Sequence, residues 1–121
     1  MAADPIYSAE PVFVNASGPL PLNSQFYTPT NGMLLIYVSG SMFAPSPQTM
    51  LVMNILMDGQ QIGTCQVFAN NPNIHMALVP AFIPVPQQQS GTHILTLAAG
   101  NGVTDGNDCF NATVFVFTQD Q

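Results

Sequence analysis

Strand-length apolar segments separated by turn signals run through this chain, and they constrain its fold more than any other feature. Eleven Pro and nine Gly, together with many Asn and Ser, interrupt the sequence at short intervals. No window shows the i, i+3, i+4, i+7 apolar spacing of an amphipathic helix over three turns. Short strands with frequent turns are typical of a β-sandwich or barrel. The sequence therefore predicts an all-β protein.

About eight strands fit between the turn signals. The clearest hairpin joins residues 49–57 to residues 61–69 through Asp58-Gly59, a pair that tolerates positive φ. A long strand is predicted over residues 33–43, with a bend at Gly40. The other predicted strands are residues 6–14, 25–28, 92–98 and 110–118, and residues 74–85 are predicted to carry one or two strands with a kink at Pro80. The predicted loops include residues 15–23 and 87–91.

One domain is expected, because 121 residues are enough to bury a single core without metals or many disulfides. Residues 1–24 are predicted to form an irregular N-terminal edge strand and a loop, since Pro11 interrupts the first strand. Residues 25–118 are predicted to form the core of an antiparallel β-sandwich.

Two predicted strands are apolar on both faces. Residues 33–38 and residues 50–57 carry apolar side chains at both odd and even positions. A sandwich strand with a solvated outer face should instead alternate apolar and polar residues. The second apolar face needs a cover, and another copy of the chain is the simplest one. The pattern therefore predicts a homo-oligomer.

Charge excludes several classes of function. The chain has no Lys or Arg against six Asp and Glu, so its formal net charge is −6. Binding of nucleic acids and electrostatic docking on anionic membranes both lack the cations they need. The longest clean apolar run, residues 33–38, is too short to cross a bilayer. Residues 1–5 have neither a basic nor an apolar region, so no signal peptide is expected.

The second half of the chain resembles a known family. The hairpin MNILMDGQQIGTCQVF, the strand and turn GTHILTLAAGNG and the closing strand CFNATVFVF follow the order seen in jelly rolls of the tumour-necrosis-factor/C1q-like family. The likeness covers residues 33–118 and departs from the family after Gly100, where Asn101-Gly102 replaces a Gly-Asp turn. It implies a jelly roll of about ten strands that forms a homotrimer through an apolar, aromatic sheet. It also implies a non-enzymatic binding domain, in some bacterial members similar to a lectin.

The most polar segment is residues 101–108. Asp105, Asn107 and Asp108 place hard oxygen donors at short spacing, which is the chemistry of a Ca²⁺ site. An exposed turn in which these side chains cap their own backbone is the alternative. A contact to a sugar or a protein partner is the third possibility.

Catalysis is not expected. His75 and His93 are the only side chains with a pKa near neutrality, and no Gly-x-Ser-x-Gly motif accompanies them. Of the acids, only Asp105 and Asp108 are close in sequence, and they lie in a loop rather than on facing strands, as a glycosidase requires.

Side chains suited to neutral sugars occur in several segments. Tyr27 and Tyr37 are candidate aromatic platforms, and amide-rich loops without cations suit neutral glycans better than sialylated or sulfated ones. The other candidate ligand-binding residues are Asn70, Asn71, Asn73, His75, Asp105, Asn107 and Asp108.

The two cysteines, Cys65 and Cys109, are 44 positions apart. They could form one disulfide, which would indicate an oxidising compartment. Two buried free thiols are the alternative.

These features together predict a non-enzymatic, trimeric binding module that recognises a cell-surface glycan or receptor, as a lectin or a fibre head does. The alternative is a structural protein, such as a capsid decoration, spike or matrix component, that assembles with itself and has no soluble ligand. The expected location is extracellular, or on the surface of a cell or virion.

Overall fold

The structure, a computed structural model, describes residues 6–117, in which the chain forms ten β-strands and no helix. The strands are β1 (Ile6–Ser17), β2 (Leu22–Thr28), β3 (Gly32–Ser39), β4 (Ser41–Met42), β5 (Thr49–Met57), β6 (Gln60–Ala69), β7 (Met76–Ala77), β8 (Ala81–Gln88), β9 (Gly91–Asn101) and β10 (Cys109–Phe117). The predicted domain covers residues 1–121, and its parts at residues 1–5 and 118–121 lie outside the described residues.

The strands pair in a nested order. The innermost pair is the β5–β6 hairpin, and around it β4 pairs with β7, β3 with β8, β2 with β9 and β1 with β10, all antiparallel. Sheet 1 has the order β1-β10-β3-β8 and sheet 2 has the order β2-β9-β5-β6. This arrangement, in which a long hairpin is rolled into two sheets, is a jelly roll. The predicted all-β antiparallel sandwich is confirmed.

The core lies between the two sheets, because alternate residues of each strand point inward. Strands β3 and β10 of sheet 1 bury every second side chain against those of β5 and β9 from sheet 2. The largest fully buried side chains are Phe110, Leu34, Ile36, Met42, Leu51, Met53, Ile55, Leu78, Leu95 and Leu97. A charge-poor sequence thus forms a continuous apolar core.

The outer faces of the two sheets differ. On sheet 1, Tyr37 pairs across the strands with Phe82, and Leu35 pairs with Phe115, so this face is apolar and aromatic. Phe82 is 62% exposed. On sheet 2, polar side chains such as Asn54 share the outer face with apolar ones. The predicted strand with two apolar faces is therefore confirmed for residues 33–38, and the oligomer inferred from it stays a prediction.

The N-terminal boundaries differ from the prediction. Residues 15–23 were expected to form a loop, but β1 continues to Ser17 and β2 begins at Leu22. Register shifts in the β1–β10 pairing carry β1 past Pro11. Near the start of β2, Asn23 and Ser24 pair with β9 although both are polar. Pairing with a distant strand outweighs the local turn composition here. Residues 87–88, also expected in a loop, extend β8 for the same reason.

The cysteines are both free thiols. Cys65 is buried on β6 in sheet 2, and Cys109 is exposed at the start of β10 in sheet 1. The disulfide considered from the sequence is not formed, because one side chain points into the core and the other into solvent. The alternative of two buried thiols holds for Cys65 alone, and burial raises the pKa of that thiol.

The turn of the predicted β5–β6 hairpin is confirmed and is fixed by a histidine. Asp58 has φ 52° and its Oδ2 lies 2.7 Å from Nδ1 of His93. Nε2 of His93 lies 2.8 Å from the carbonyl oxygen of Gln89. Asp58 Oδ1 accepts the backbone N–H of Ile94 at 2.9 Å. Burial opposes ionisation of Asp58, but these hydrogen bonds and the charge of His93 lower the pKa of its carboxyl below the usual value of 3.8.

We expect this turn to weaken in acid. Because the pKa of Asp58 is lower in the folded chain, its contribution to stability is present above pH 3.8 and is lost as the pH falls through the folded-state pKa. Since nearly half of the side chain is exposed, the effect is at most about 1 kcal/mol. Urea unfolding of the wild type and of Asp58→Asn tests this. The difference between their free energies of unfolding should shrink from about pH 6 to about pH 2.5; a constant difference would contradict it.

Candidate functional site

Three loops meet at one end of the sandwich, which we call the loop end: residues 43–48, 70–75 and 102–108. Backbone hydrogen bonds join them. The N–H of Asn73 donates to the carbonyl oxygen of Ala44 at 2.7 Å. Phe43 and Val103 exchange two hydrogen bonds, at 3.0 and 2.8 Å. The loop end is therefore a connected surface and not three independent loops.

A buried carboxylate lies behind the loop end. The side chain of Asp108 has no exposed surface. Its Oδ1 accepts the hydroxyl of Ser41 at 2.7 Å and faces Nδ1 of His75, also at 2.7 Å. Its Oδ2 accepts the backbone N–H of Asp105 at 2.9 Å. Three donors from separate segments thus compensate the cost of burying this charge.

The backbone of the same loop is also self-capped. The N–H of Asp108 donates to the carbonyl oxygen of Asp105 at 3.1 Å, and Oδ1 of Asp105 accepts the N–H of Asn107 at 2.8 Å. The N–H of Gly18 donates to the carbonyl oxygen of Asp108 at 3.0 Å. This is the capped turn considered from the sequence, now attached to the β1–β2 connection.

His75 is the only side chain of the loop end that can carry a positive charge among the described residues. Its ring contacts Phe43 with a centroid distance of 4.3 Å. Its Nε2 lies 3.7 Å from Oδ2 of Asp105, and about a third of the side chain is exposed. The hydrogen bond to Asp108 raises the pKa of the imidazole above its usual value, desolvation opposes this, and the charges of both aspartates add to the rise.

Two cavities open at the loop end, one beside residues 44–46 and the other beside residues 70–76. The larger has a volume of about 320 Å³ and is lined by Ala44, Pro45, Ser46, Thr49, Asn101, Gly102 and Val103. The smaller has a volume of about 180 Å³ and is lined by Asn70, Asn71, Ile74 and Met76. Both combine hydroxyl or amide groups with apolar side chains. Neither cavity is lined by a Lys, Arg or His side chain.

Most of the candidate residues from the sequence come together at the loop end. These are Asn70, Asn71, Asn73, His75, Asp105, Asn107 and Asp108. The two tyrosines do not join them. Tyr27 pairs with Thr92 at the opposite end of sheet 2, and Tyr37 lies on the outer face of sheet 1, where its ring centroid is 4.9 Å from that of Phe82.

The three proposed Ca²⁺ ligands do not present their oxygens equally. The carboxylate of Asp108 is directed inward onto its three donors, whereas Asp105 is partly exposed and Asn107 is exposed. His75, Asp105 and Asp108 are instead the group whose possible ligand atoms all lie within 4.8 Å of one another. Calcium binding stays a prediction. The structure adds a ring nitrogen of His75 to the possible metal ligands at this place.

Sequence reasoning missed Ser41 and Phe43, which fix Asp108 and His75. Both lie just after the bend at Gly40, where β4 turns toward β7 and brings residues 41–43 beside His75. The sequence predicted the bend at Gly40. It did not predict that Ser41 would contact Asp108 or that Phe43 would contact His75. The larger cavity was also missed, although the turn residues Asn101-Gly102 were noted.

The polar cluster is not arranged as a hydrolytic triad. A nucleophilic serine must donate its proton to the histidine. Here the hydroxyl of Ser41 donates to Asp108, and the histidine contacts the same carboxylate from another side. The arrangement suits binding and orientation of groups rather than transfer of a serine proton.

Comparisons with known proteins show the fold. No family model and no curated protein matches the sequence. The structure is similar to a family 35 carbohydrate binding module from Clostridium thermocellum, with a TM-score of 0.51, 14% identity and coverage of 90% of this chain and 88% of that one. This likeness supports the jelly-roll sandwich, and membership of the tumour-necrosis-factor/C1q-like family stays a prediction.

Two larger proteins contain a similar unit. One is dimeric latent PorU from Porphyromonas gingivalis, with a TM-score of 0.64, 12% identity and coverage of 98% of this chain. The other is a β-glucosidase from Paenibacillus barengoltzii, with a TM-score of 0.57, 12% identity and coverage of 90%. The chain spans only 13% and 10% of these proteins, respectively. At such identities the likeness is one of fold.

Residues 6–117 include no helix with the length and hydropathy of a membrane span.

Proposed function

We propose that this chain is a non-enzymatic binding module that recognises a neutral glycan through its loop end. The observation that carries the proposal is the larger cavity, whose lining combines Ser46, Thr49 and Asn101 with the apolar residues Ala44, Pro45 and Val103. The Thr49 hydroxyl donates to the carbonyl oxygen of Ser46 and the Asn101 amide nitrogen donates to that of Met50, which leaves the side-chain oxygens as acceptors for sugar hydroxyl groups. Its volume of about 320 Å³ lies at the lower end of the range for small-ligand sites. Sugars present both hydroxyl groups and apolar C–H faces, so such a lining matches them.

The charge of the chain favours a neutral ligand. The net charge is −6 and no Lys or Arg is present to pair with a sialate, a sulfate or a phosphate. Asp105 and Asp108 lie at the same end of the sandwich as the cavity. An anionic glycan would therefore be repelled on approach and would find no cationic partner other than His75.

The fold supports the proposal. A carbohydrate binding module of similar length shares the sandwich, so the architecture is compatible with sugar binding. The absence of catalysis is part of the proposal and rests on the geometry of Ser41, His75 and Asp108, because the serine does not contact the imidazole as a nucleophile would.

A glycan array with neutral, sialylated and sulfated glycans tests the proposal. We expect the wild type to bind neutral glycans only. Val103→Glu changes an exposed side chain of the cavity and should weaken binding about tenfold or more, since it adds bulk and charge where the sugar would lie. Val14→Glu alters a more exposed valine, on β1 and outside the cavity, and should leave binding unchanged. Equal loss in both variants, or no glycan bound by intact protein, would contradict the proposal.

We further propose that the module is a homotrimer that acts outside a cell, or on the surface of a cell or virion, and that a cell-surface receptor carries the glycan. The apolar outer face of sheet 1, with Tyr37, Phe82 and Phe115, is the surface through which copies would associate. The same face supports the second candidate function, a structural component that only assembles with itself.

Sedimentation measurements, combined with the glycan array, distinguish the trimeric binding module from the structural component. The wild type should sediment as a particle of three times 12.9 kDa. Phe82→Asp should shift it toward the monomer, because it puts a charge into the apolar face. Trimers that bind no glycan would favour the structural component. A wild-type monomer would contradict both the homotrimer and the structural component.

A further inference from the structure

We infer that Nε2 of His75 and Oδ2 of Asp105 form a site for a first-row transition-metal dication such as Zn²⁺, with the buried carboxylate of Asp108 holding the imidazole in place. This inference concerns the rim of the loop end and does not rest on glycan binding. It goes beyond an acidic cluster, because the central donor is a nitrogen with a defined orientation.

The hydrogen-bond partner of His75 fixes which of its ring nitrogens carries the proton. The carboxylate of Asp108 can only accept hydrogen bonds, so the ring nitrogen that faces it at 2.7 Å carries a hydrogen. In the neutral imidazole the hydrogen therefore lies on Nδ1, and Nε2 keeps its lone pair. Histidine ligands of metals are held in this way, with the second ring nitrogen donating to a carboxylate.

The imidazole of His75 is held rigidly. Asp108 is fixed by Ser41 and by the backbone N–H of Asp105, and its side chain is fully buried. The ring of Phe43 packs against His75 on the other side. The imidazole is thus oriented before any ligand arrives, which lowers the entropic cost of binding.

The carboxylate of Asp105 supplies the second ligand. Oδ2 of Asp105 lies 3.7 Å from Nε2 of His75, which is beyond hydrogen-bond distance. Metal–ligand distances of about 2.0–2.2 Å place two such atoms at an angle of about 125° around one ion. Oδ1 of the same carboxylate accepts the N–H of Asn107, so Oδ2 is the oxygen that remains free to bind. Both side chains are partly exposed, and water would complete the coordination shell.

The chemistry of the donors selects the metal. Imidazole nitrogen suits Zn²⁺, Cu²⁺ and Ni²⁺, whereas Ca²⁺ takes six to eight oxygen ligands. The only carboxylate besides Asp105 in this group already accepts three hydrogen bonds. Among the described residues, moreover, no Lys or Arg competes for these acids, since the whole chain has none.

Zinc chloride alone is the probe, at about pH 7.5, where a neutral imidazole can bind metal. The experiment uses the full chain with Cys109→Ser, because the exposed thiol is itself a zinc ligand. Long-range ¹H–¹⁵N spectra of the histidine rings report on each nitrogen, and calorimetry gives the affinity. Matched titrations use His75→Asn, Asp105→Asn and, as the control, Asn107→Ser. Asp105→Asn keeps the Oδ1 acceptor for the loop, and Asn107 contributes only its backbone to the cluster.

We expect Zn²⁺ to shift Nε2 of His75 and to leave both nitrogens of His93 unshifted, because these already face Asp58 and Gln89. Affinity should fall about tenfold or more in His75→Asn and in Asp105→Asn and stay within about twofold in Asn107→Ser. Calcium chloride should not shift the ring. A larger shift at Nδ1 than at Nε2, no shift with folded protein, equal loss in all three variants, or binding of Ca²⁺ as tight as that of Zn²⁺ would overturn the inference.

Discussion

Asp108→Ala is expected to lower the free energy of unfolding by about 2–4 kcal/mol. The substitution removes a fully buried carboxylate that accepts hydrogen bonds from Ser41, from His75 and from the backbone of Asp105. A buried donor that loses its acceptor costs more than the net value of the hydrogen bond. Urea unfolding monitored by circular dichroism measures the difference.

Two variants make this prediction specific. Asp108→Asn keeps the volume and one acceptor oxygen, but its amide nitrogen faces a donor, so we expect an intermediate loss of stability. Asp105→Ala removes a partly exposed carboxylate from the same loop and should cost within about 1 kcal/mol. If Asp108→Ala cost no more than Asp105→Ala, the buried carboxylate would not be what holds the loop end together.

Phe110→Ala is expected to cost about 3–5 kcal/mol, because it empties the position of the largest fully buried side chain. Phe110 is the first residue of β10 whose side chain points into the core. Its ring packs against Gly40 at the bend between β3 and β4. A Cβ atom on Gly40 would lie 2.4 Å from Cδ1 of the ring. Gly40→Ala should therefore cost about 1–3 kcal/mol in the wild type through overpacking.

A double-mutant cycle tests this contact. In the Phe110→Ala background the clash is absent, so Gly40→Ala should cost much less there than in the wild type. Gly59→Ala is a useful contrast, since no atom lies within 4 Å of its added Cβ and only its φ of 85° opposes the substitution. Additive costs of Gly40→Ala and Phe110→Ala in thermal unfolding would contradict the proposed packing.

The fold was predictable because its signals are local. Strand-length apolar segments between turn signals predicted the strands, and Asp58-Gly59 predicted the central hairpin, which is the innermost pair of the jelly roll. The N-terminal boundaries were not predictable, because β1 and the start of β2 are set by partners about 75 to 110 residues away along the chain. A turn-like composition in residues 15–23 gave no sign of that pairing.

The site was predictable only in its parts. Asp105, Asp108 and His75 each stood out in the sequence, but their meeting depends on the β4–β7 pair and on loops joined across the end of the sandwich. Ser41 and Phe43 belong to no motif, so nothing in the sequence connected them to Asp108. The tyrosines failed as platforms at this site, because the position of Tyr27 and Tyr37 along their strands places them elsewhere.

The central claim is that the loop end binds a neutral glycan, and an amide NMR titration of the ¹⁵N-labelled wild type with a neutral oligosaccharide tests it most directly. We expect the largest shifts in the amides of Ala44, Ser46, Thr49 and residues 101–103, which line the larger cavity. The amides around Tyr37 and Phe82 on sheet 1 should change little. Shifts confined to that outer face, or a folded protein whose spectrum no neutral glycan alters, would contradict the claim.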